Sequence, residues 1–340
     1  MILGFVEVSG ESPALARAEA VSAAEALDGR AGDAKAALGG LVPVELPDLP
    51  LFQVLAARLA LARRCLVPLP AGDGPASAAR REGAHGGSAA FRRVGRPSGG
   101  EVDAGVLACG RAFKSGGGSI DLDGPSRRFW LTEGPNRTDQ LLEEVASVDR
   151  VAPTRRRMPL LPFRRPVSMP PKLARAAVNL ARVVPGESVL DPFLGTGALL
   201  AEAGLLGGRL YGIDRDPAMV RGALQNFSYL AVGAEELLVG DAREVDFSNA
   251  SVRFSAIVTD TPYGRSSSAG GAVLGELVEQ VMQRWSERLT PDGRILLIAP
   301  AGPSPPGVSG DLRFRIPVRV HRSLTREFRL YERAGATRSS

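Results

Sequence analysis

The chain has 340 residues, 44% hydrophobic and 23% charged, with a formal net charge of +5. That is enough length for two domains or three small ones, in a composition typical of folded globular proteins rather than disordered or fibrous ones. No run of about 18 apolar residues is available to cross a bilayer, the N-terminus M-I-L-G-F-V-E-V lacks a basic segment and a cleavage site, and two cysteines and two histidines match no metal or redox spacing. A cytoplasmic protein with no membrane contact and no metal is expected.

Taken in order, Leu3–Val8 reads as a strand, and Ser12-Pro13 opens an alanine-rich helix reaching Leu27. A strand over Leu41–Leu46 and a helix over Leu51–Cys65, with Leu51, Leu55, Leu59 and Ala62 on one face, complete a βαβα order that suggests a small ferredoxin-like unit. Ala71–Ser88 is rich in Gly, Ala, Ser and Pro and reads as a loop or linker. Beyond it the pattern predicts a strand at Ala89–Val94, a helix at Val102–Phe113, and strands at Ser119–Leu122 and Arg127–Thr132. Arg92, Arg93, Arg96, Arg111 and Lys114 give this second unit a basic character. Cys65 and Cys109 read as small buried hydrophobes.

The charge is unevenly spread. Residues 1–150 carry a net −2 and residues 151–340 a net +7. Between Arg150 and Arg175 stand Arg150, Arg155, Arg156, Arg157, Arg164, Arg165, Lys172 and Arg175, with no acid. These cations suit a nucleic-acid backbone, and within the stretch the proline-rich Met158–Pro171 is expected to be extended and semi-rigid. Pro171-Lys172 then opens a helix with Leu173, Ala177, Leu180 and Val184 at helical spacing. Asn179 in that helix fits a core amide or a ligand contact equally well.

From Ser188 the chain settles into strand, glycine loop, helix, strand. Val189-Leu190 ends in Asp191, Gly195 and Gly197 turn the chain, Ala198–Leu206 is an apolar helix, and Leu210–Ile213 ends in Asp214. Glu235–Val239 runs into Gly240-Asp241, and Phe254–Thr259 ends in Asp260. A helix at Val273–Leu289 presents Leu274, Leu277, Val281 and Trp285 to a core. A Thr290–Gly293 turn, a strand at Arg294–Ala299 and an antiparallel pair at Phe314–Val320 and Thr325–Glu332 close the chain. The fold expected is an α/β sheet, mainly parallel with an antiparallel last strand, preceded by an α+β region.

Ligands of such sheets bind at the carboxyl ends of the strands, where four acids are now collected. A dinucleotide would need a third glycine at position 200, which is Leu, and Asp191 would repel its pyrophosphate. A carboxylate ending the first strand, as Asp191 does, suits a ligand with a cationic end and no phosphate, and S-adenosylmethionine is one. Asp214 can take ribose hydroxyls as acids do in nucleotide sites. The sharpest motif is Asp260-Thr261-Pro262-Tyr263-Gly264, followed by R-S-S-S-A-G-G. A carboxylate and a backbone carbonyl can accept both N–H bonds of an exocyclic amino group and aim its lone pair at a methyl donor. The Tyr263 ring can stack on the base, flipped out of any helix it occupies. An amino methyltransferase acting on DNA adenine or a protein glutamine fits the same residues, although such enzymes more often have Asn at position 260. A nucleic-acid-binding protein with an inactive catalytic domain is the reading from another class.

Asp191–Gly197 together with Asp260–Tyr263 resembles the class I methyltransferases that modify exocyclic amino groups. Arg164–Ala181 (R-R-P-V-S-M-P-P-K-L-A-R-A-A-V-N-L-A) and His321–Arg326 (H-R-S-L-T-R) resemble, more narrowly, the tRNA guanosine-10 N2-methyltransferases of archaea and eukaryotes. A-F-R-R-V and S-I-D-L-D-G-P-S-R-R-F-W-L are similar to that family's THUMP RNA-binding module. The resemblance implies a ferredoxin-like segment over 1–70, a THUMP-type module over 71–150, a basic connector over 151–171 and a class I methyltransferase domain over 172–335. It implies S-adenosylmethionine as cofactor, tRNA as partner and N2 methylation of guanosine 10, once or twice. By the same resemblance Asp191, Phe193, Gly195, Gly197, Asp214, Asp241 and Ala242 hold the cofactor. Asp260, Pro262 and Tyr263 hold the guanine, and Arg92, Arg93, Arg155, Arg156, Arg157, Arg164, Arg165 and Arg265 meet the RNA. The chain is expected to be a monomer, with room for a small activating partner subunit as in eukaryotic relatives. It departs from the family in one place. Thr261 replaces the usual first proline of Asp-Pro-Pro-Tyr, which removes a fixed φ from the loop.

Overall fold

The computed structural model describes residues 1–33, 40–70, 72–95, 103–133, 138–156, 160–166, 168–262, 271–302, 308–321 and 324–333. They fall into two compact units, Met1–Asp149 and Arg150–Ser340.

The first unit begins with β1 (Ile2–Val8), α1 (Pro13–Glu25), β2 (Arg30–Ala31), β3 (Leu41–Leu46), α2 (Leu51–Arg58) and β4 (Ala62–Pro68). The strands pair antiparallel in the order β2-β3-β1-β4, which is the ferredoxin-like βαββαβ arrangement. The helix expected over Leu51–Cys65 stops at Arg58. Leu59 turns extended at ψ 144°, and the N–H groups of Ala60 and Leu61 donate to the Glu19 carboxylate, each at 2.9 Å. Glu19 is fully buried on α1, so the donors a longer helix would keep for itself are taken by another helix. Ala62 onward then pairs as a strand, with Cys65 buried in it.

The chain continues through α3 (Pro75–Gly83), β5 (Ser88–Arg93), α4 (Ala104–Gly116), β6 (Ser119–Ile120), β7 (Arg127–Glu133) and β8 (Asp139–Ser147). The linker expected over Ala71–Ser88 thus contains a helix. Pro75 sits in its first turn and Arg80 and Arg81 in its last, each where helix geometry and dipole favour it, and Ala78 and Ala79 are buried. Strand β8, too acidic to read as a strand, pairs antiparallel with both β4 and β7. It completes one eight-stranded sheet, β2-β3-β1-β4-β8-β7-β5-β6, and the boundary expected at residue 70 falls inside it. Arg64 and Arg127 hold its acids, Arg64 meeting Glu144 at 2.9 Å and Arg127 meeting Glu143 at 2.7 Å.

The second unit contains α5 (Ala152–Arg155), α6 (Pro171–Leu180), β9 (Ser188–Asp191), α7 (Ala198–Gly204), β10 (Arg209–Asp214), α8 (Pro217–Tyr229), β11 (Glu236–Val239), β12 (Phe254–Asp260), α9 (Gly271–Ser286), β13 (Leu289–Pro300), β14 (Asp311–His321) and β15 (Leu324–Glu332). Its seven-stranded sheet runs β11-β10-β9-β12-β13-β15-β14. The first five are parallel and β15 is antiparallel to both of its neighbours. The turn expected at Thr290–Gly293 is a bulge within β13, where the partner of Phe254 is Leu289 and that of Ala256 is already Arg294. Trp285 and Val281 of α9 are fully buried with Phe254, Ile257, Ile295 and Leu297 of the sheet. Trp285 Nε1 donates to the Ala242 carbonyl at 2.9 Å, so the indole's one polar atom is satisfied. The side chain of Leu274 lies outside the described residues.

Before the stretch expected to be extended, α5 puts a helical turn in the connector. The backbone N–H of Phe163 donates to Asn226 Oδ1 at 3.0 Å, and Asn226 Nδ2 donates to the carbonyls of Phe163 and Thr196, both at 3.1 Å. The Phe163 ring lies so close to Gly222 of α8 that a Cβ there would come within 2.1 Å of it. One buried amide therefore ties the connector to the loop that follows β9.

Candidate active site

The parallel register aligns the carboxyl ends of β9, β10 and β12, because Asp191 pairs with Gly212, and Val189 and Leu190 pair with Ala256 and Ile257. Asp191 is 2% exposed. It accepts a hydrogen bond from Thr259 Oγ1 on the neighbouring strand at 2.7 Å and one from the Phe193 N–H at 3.0 Å. Burial pushes its carboxyl up to about 7, against those two bonds and with help from the charges of Asp260 and Asp214. Asp214 is also raised, again mainly by burial. Its oxygens accept from the N–H of Gly195 at 2.8 Å and of Asp216 at 2.9 Å.

Those bonds shape the loop. Gly195 and Gly197 have φ of 51° and 78°, a region that costs side-chain-bearing residues. At Gly197 a Cβ would also come within 2.8 Å of the Phe227 ring. Thr196 Oγ1 donates to Ser168 Oγ at 2.9 Å, so the connector meets the loop here as well.

Asp260 ends β12. Its Oδ2 accepts from Arg326 Nη1 at 2.7 Å, and Arg326 itself is 4% exposed on β15. Burial pushes Asp260 up to about 7 while the Arg326 charge pulls the other way. The next residue answers the question raised by its departure from pattern. Thr261 is buried and its N–H donates to the Ile298 carbonyl at 2.9 Å, a bond a proline cannot make. Pro262 is half-buried, and Tyr263 and Arg265 lie outside the described residues.

The remaining expected residues divide. Asp241 is held by its near neighbour Arg243, whose Nη2 approaches at 2.6 Å and whose N–H donates at 2.9 Å, and its carboxyl lies below the usual range for that reason. Ala242 is buried, with its carbonyl engaged by Trp285. Asn179 is fully buried in α6, as a core amide would be. Arg93 is committed to Asp103 at 2.6 Å and Asp139 at 2.7 Å, and Arg156 to Glu202 at 2.8 Å. Arg92, Arg155, Arg164 and Arg165 are exposed, and Arg157 lies outside the described residues. Sequence reasoning missed Thr259, Asn226 and Arg326 as parts of the site. Only Arg326 had a signal, as the last residue of H-R-S-L-T-R.

The sheet order with β15 reversed is that of class I methyltransferases, and residues 160–315 match the RMKL-like methyltransferase domain. The tRNA (guanine(10)-N2)-dimethyltransferase of Methanothermobacter thermautotrophicus is 39% identical over 175 residues, 51% of each chain. That of Pyrococcus abyssi is 38% identical over 175 residues, 50% of this chain and 52% of its own. A probable tRNA (guanine(10)-N2)-dimethyltransferase from Methanothermococcus thermolithotrophicus is 33% identical over 168 residues, 48% of this chain and 98% of its own. The chain belongs to the tRNA (guanine(10)-N2)-dimethyltransferase family. It spans about half the length of the first two relatives in these matches. Among the described residues no helix is long and apolar enough to cross a membrane.

Proposed function

We propose that this protein methylates the exocyclic N2 of guanosine 10 in tRNA, twice as its relatives' names state, using S-adenosylmethionine. The observation that carries the reading is the buried Asp260 at the end of β12, held by a cation from β15 and opening on the same crevice as Asp191 and Asp214. The crevice fits the cofactor. Its wall is carboxylate, which suits a cation and hydroxyls and would repel phosphates, and the glycine loop beside Asp214 is in backbone conformations that leave it slim.

The bound cofactor would supply a methyl group on a sulfonium sulfur, which keeps the electron pair when the carbon–sulfur bond breaks. Asp214 would hold the ribose, and Gly195, Gly197, Asp191 and Phe193 the methionine end. The adenine would lie against the Asp241–Ala242 backbone. The guanine N2 forms the new bond to carbon and gives up one proton. Asp260 accepts the N2–H bonds, orients the lone pair and is placed to take that proton. Tyr263 and the Pro262 carbonyl would complete the base pocket.

Residues 71–150 would serve as a THUMP-type RNA-binding module beside the ferredoxin-like segment. Arg92, Arg155, Arg164 and Arg165, with Arg157 and Arg265, would meet phosphates. Binding by shape and phosphates makes the affinity fall steeply with salt. The enzyme would act in the cytoplasm as a monomer. Transfer of label from S-adenosylmethionine to unmodified tRNA transcripts with guanosine or adenosine at position 10 is the test. Label on the first alone is expected. Label on both would overturn the position, and no label on either, with cofactor bound, would overturn the substrate.

A further inference from the structure

Asp260 poses a chemical difficulty that the rest of the site does not solve. It sits in a crevice with Asp191, from β9, whose charge opposes its own, and Asp214, from β10, adds to the acidity around Asp191. Burial is the largest cause that raises both Asp191 and Asp260 to about 7, in Asp260 against the pull of the Arg326 charge. A protonated Asp260 would present an O–H where the guanine edge presents N1–H and N2–H, two adjacent donors, and it could not take a proton from N2. Only the carboxylate is complementary.

Arg326 is the cation set against this. It reaches Asp260 Oδ2 from β15 at 2.7 Å and is almost wholly buried. Across the ladder it pairs with Pro300 of β13, so the partner position carries no titratable side chain. Its neighbour Glu327 is held by Arg329 and Arg315, on the opposite face by strand alternation. A buried guanidinium costs free energy to desolvate, and this one sets its charge 2.7 Å from Asp260 Oδ2.

We propose that Arg326 is a positioning residue that keeps Asp260 ionised and fixes the oxygen it holds, so that a carboxylate of set orientation meets the target amino group. This rests on the reading of Asp260 as the group that meets the guanine. Its effect on the reaction passes through Asp260, which it meets at 2.7 Å.

The test uses the full chain with Arg326→Met, Arg326→Lys and Arg326→Gln, each checked for folding by circular dichroism. The pH dependence of methyl transfer to the guanosine-10 transcript should have an ascending limb set by Asp260. In Arg326→Met that limb moves alkaline by about one pH unit or more, a loss of about fivefold at pH 7 that approaches about tenfold at lower pH and recovers above pH 9. Arg326→Lys, which keeps the charge, holds the limb close to wild type. Arg326→Gln, which keeps a donor without charge, carries the test if the Met variant does not fold. An equal fractional loss at every pH would reduce Arg326 to a structural role and overturn the proposal. The Asp260 carboxyl carbon, followed by NMR and assigned by its absence in Asp260→Asn, gives the same answer without turnover. Its midpoint rises in Arg326→Met, and an unmoved midpoint overturns the proposal. If wild type transfers no label to guanosine 10, the reading of function fails while the NMR titration still decides the role of Arg326.

Discussion

The two sheets of this protein use charge in opposite ways. In the first unit the partly buried acids described above are matched by cations from adjacent strands. Arg64 lies 3.7 Å over the Trp130 ring and meets Glu7 at 2.7 Å and Glu144 at 2.9 Å, and Arg127 joins Glu82 and Glu143. In the second unit Asp191, Asp214 and Asp260 crowd one end of the sheet, and Arg326 is the cation set against Asp260. Matched charges hold a shape. Three acids gathered around one cation, and raised in pKa by burial, mark a place prepared for a ligand.

The largest effect expected is at the acid nearest the chemistry. Asp260→Ala should lower kcat by about 10²–10⁴-fold with cofactor affinity nearly unchanged in a binding titration. A large loss of cofactor affinity would move Asp260 from the guanine to the cofactor. Asp214→Ala should do the reverse, weakening cofactor binding by about 1.5–3 kcal/mol, the range of hydrogen bonds to charged groups, with a smaller change in kcat. On the structural side of the comparison, Arg64→Met should lower unfolding stability by about 3 kcal/mol, because it takes the near cation from both Glu7 and Glu144 in a partly buried site. Denaturant unfolding measures it, and a change below about 1 kcal/mol would put Arg64 with the surface pairs.

Within the second unit the pH dependence separates the acids matched by a near cation from those raised by burial, by sign. An Asp raised to about 7 keeps its proton in the folded state while the unfolded chain loses it near pH 4. Between those values the folded state binds more protons, so stability of the cofactor-free protein falls as pH rises from about 4 to 7. Asp241 is lowered by Arg243, so its contribution runs the other way and is lost as pH falls through its folded value. Asp191→Asn and Asp260→Asn should each flatten the decline, seen as melting temperature against pH. If both slopes match wild type, the crevice acids are ordinary carboxylates.

What the sequence made legible follows from distance along the chain. The four acids could be read because each directly follows an apolar run, and a strand end is a local fact. The end of α2 could not, because the carboxylate that takes its backbone donors lies about 40 residues earlier, on Glu19. Strand β8 was hidden by its own acids, which became strand residues only once Arg64 and Arg127 met them from other strands. The helix α3 was hidden by small residues that bury well without looking apolar. Arg326 is the sharpest case. A charged residue in a closing strand reads as solvent-facing, and its partner stands 66 residues earlier.

The smallest effect expected is at Thr261, and it bears on how a paired backbone can replace a rigid one. The resemblance leads one to expect that losing the first proline of Asp-Pro-Pro-Tyr loosens the loop. In the structure the Thr261 N–H reaches the Ile298 carbonyl at 2.9 Å, extending the β12–β13 ladder one residue past Asp260. A proline there would fix φ but forfeit that bond, worth about 0.5–1.5 kcal/mol net, while removing about 0.4–1 kcal/mol of unfolded-chain entropy. The two nearly cancel, so Thr261→Pro should change stability by less than about 1 kcal/mol and kcat by no more than a few-fold. A kcat loss approaching that of Asp260→Ala would show that the ladder bond, rather than the carboxylate alone, sets where Asp260 points.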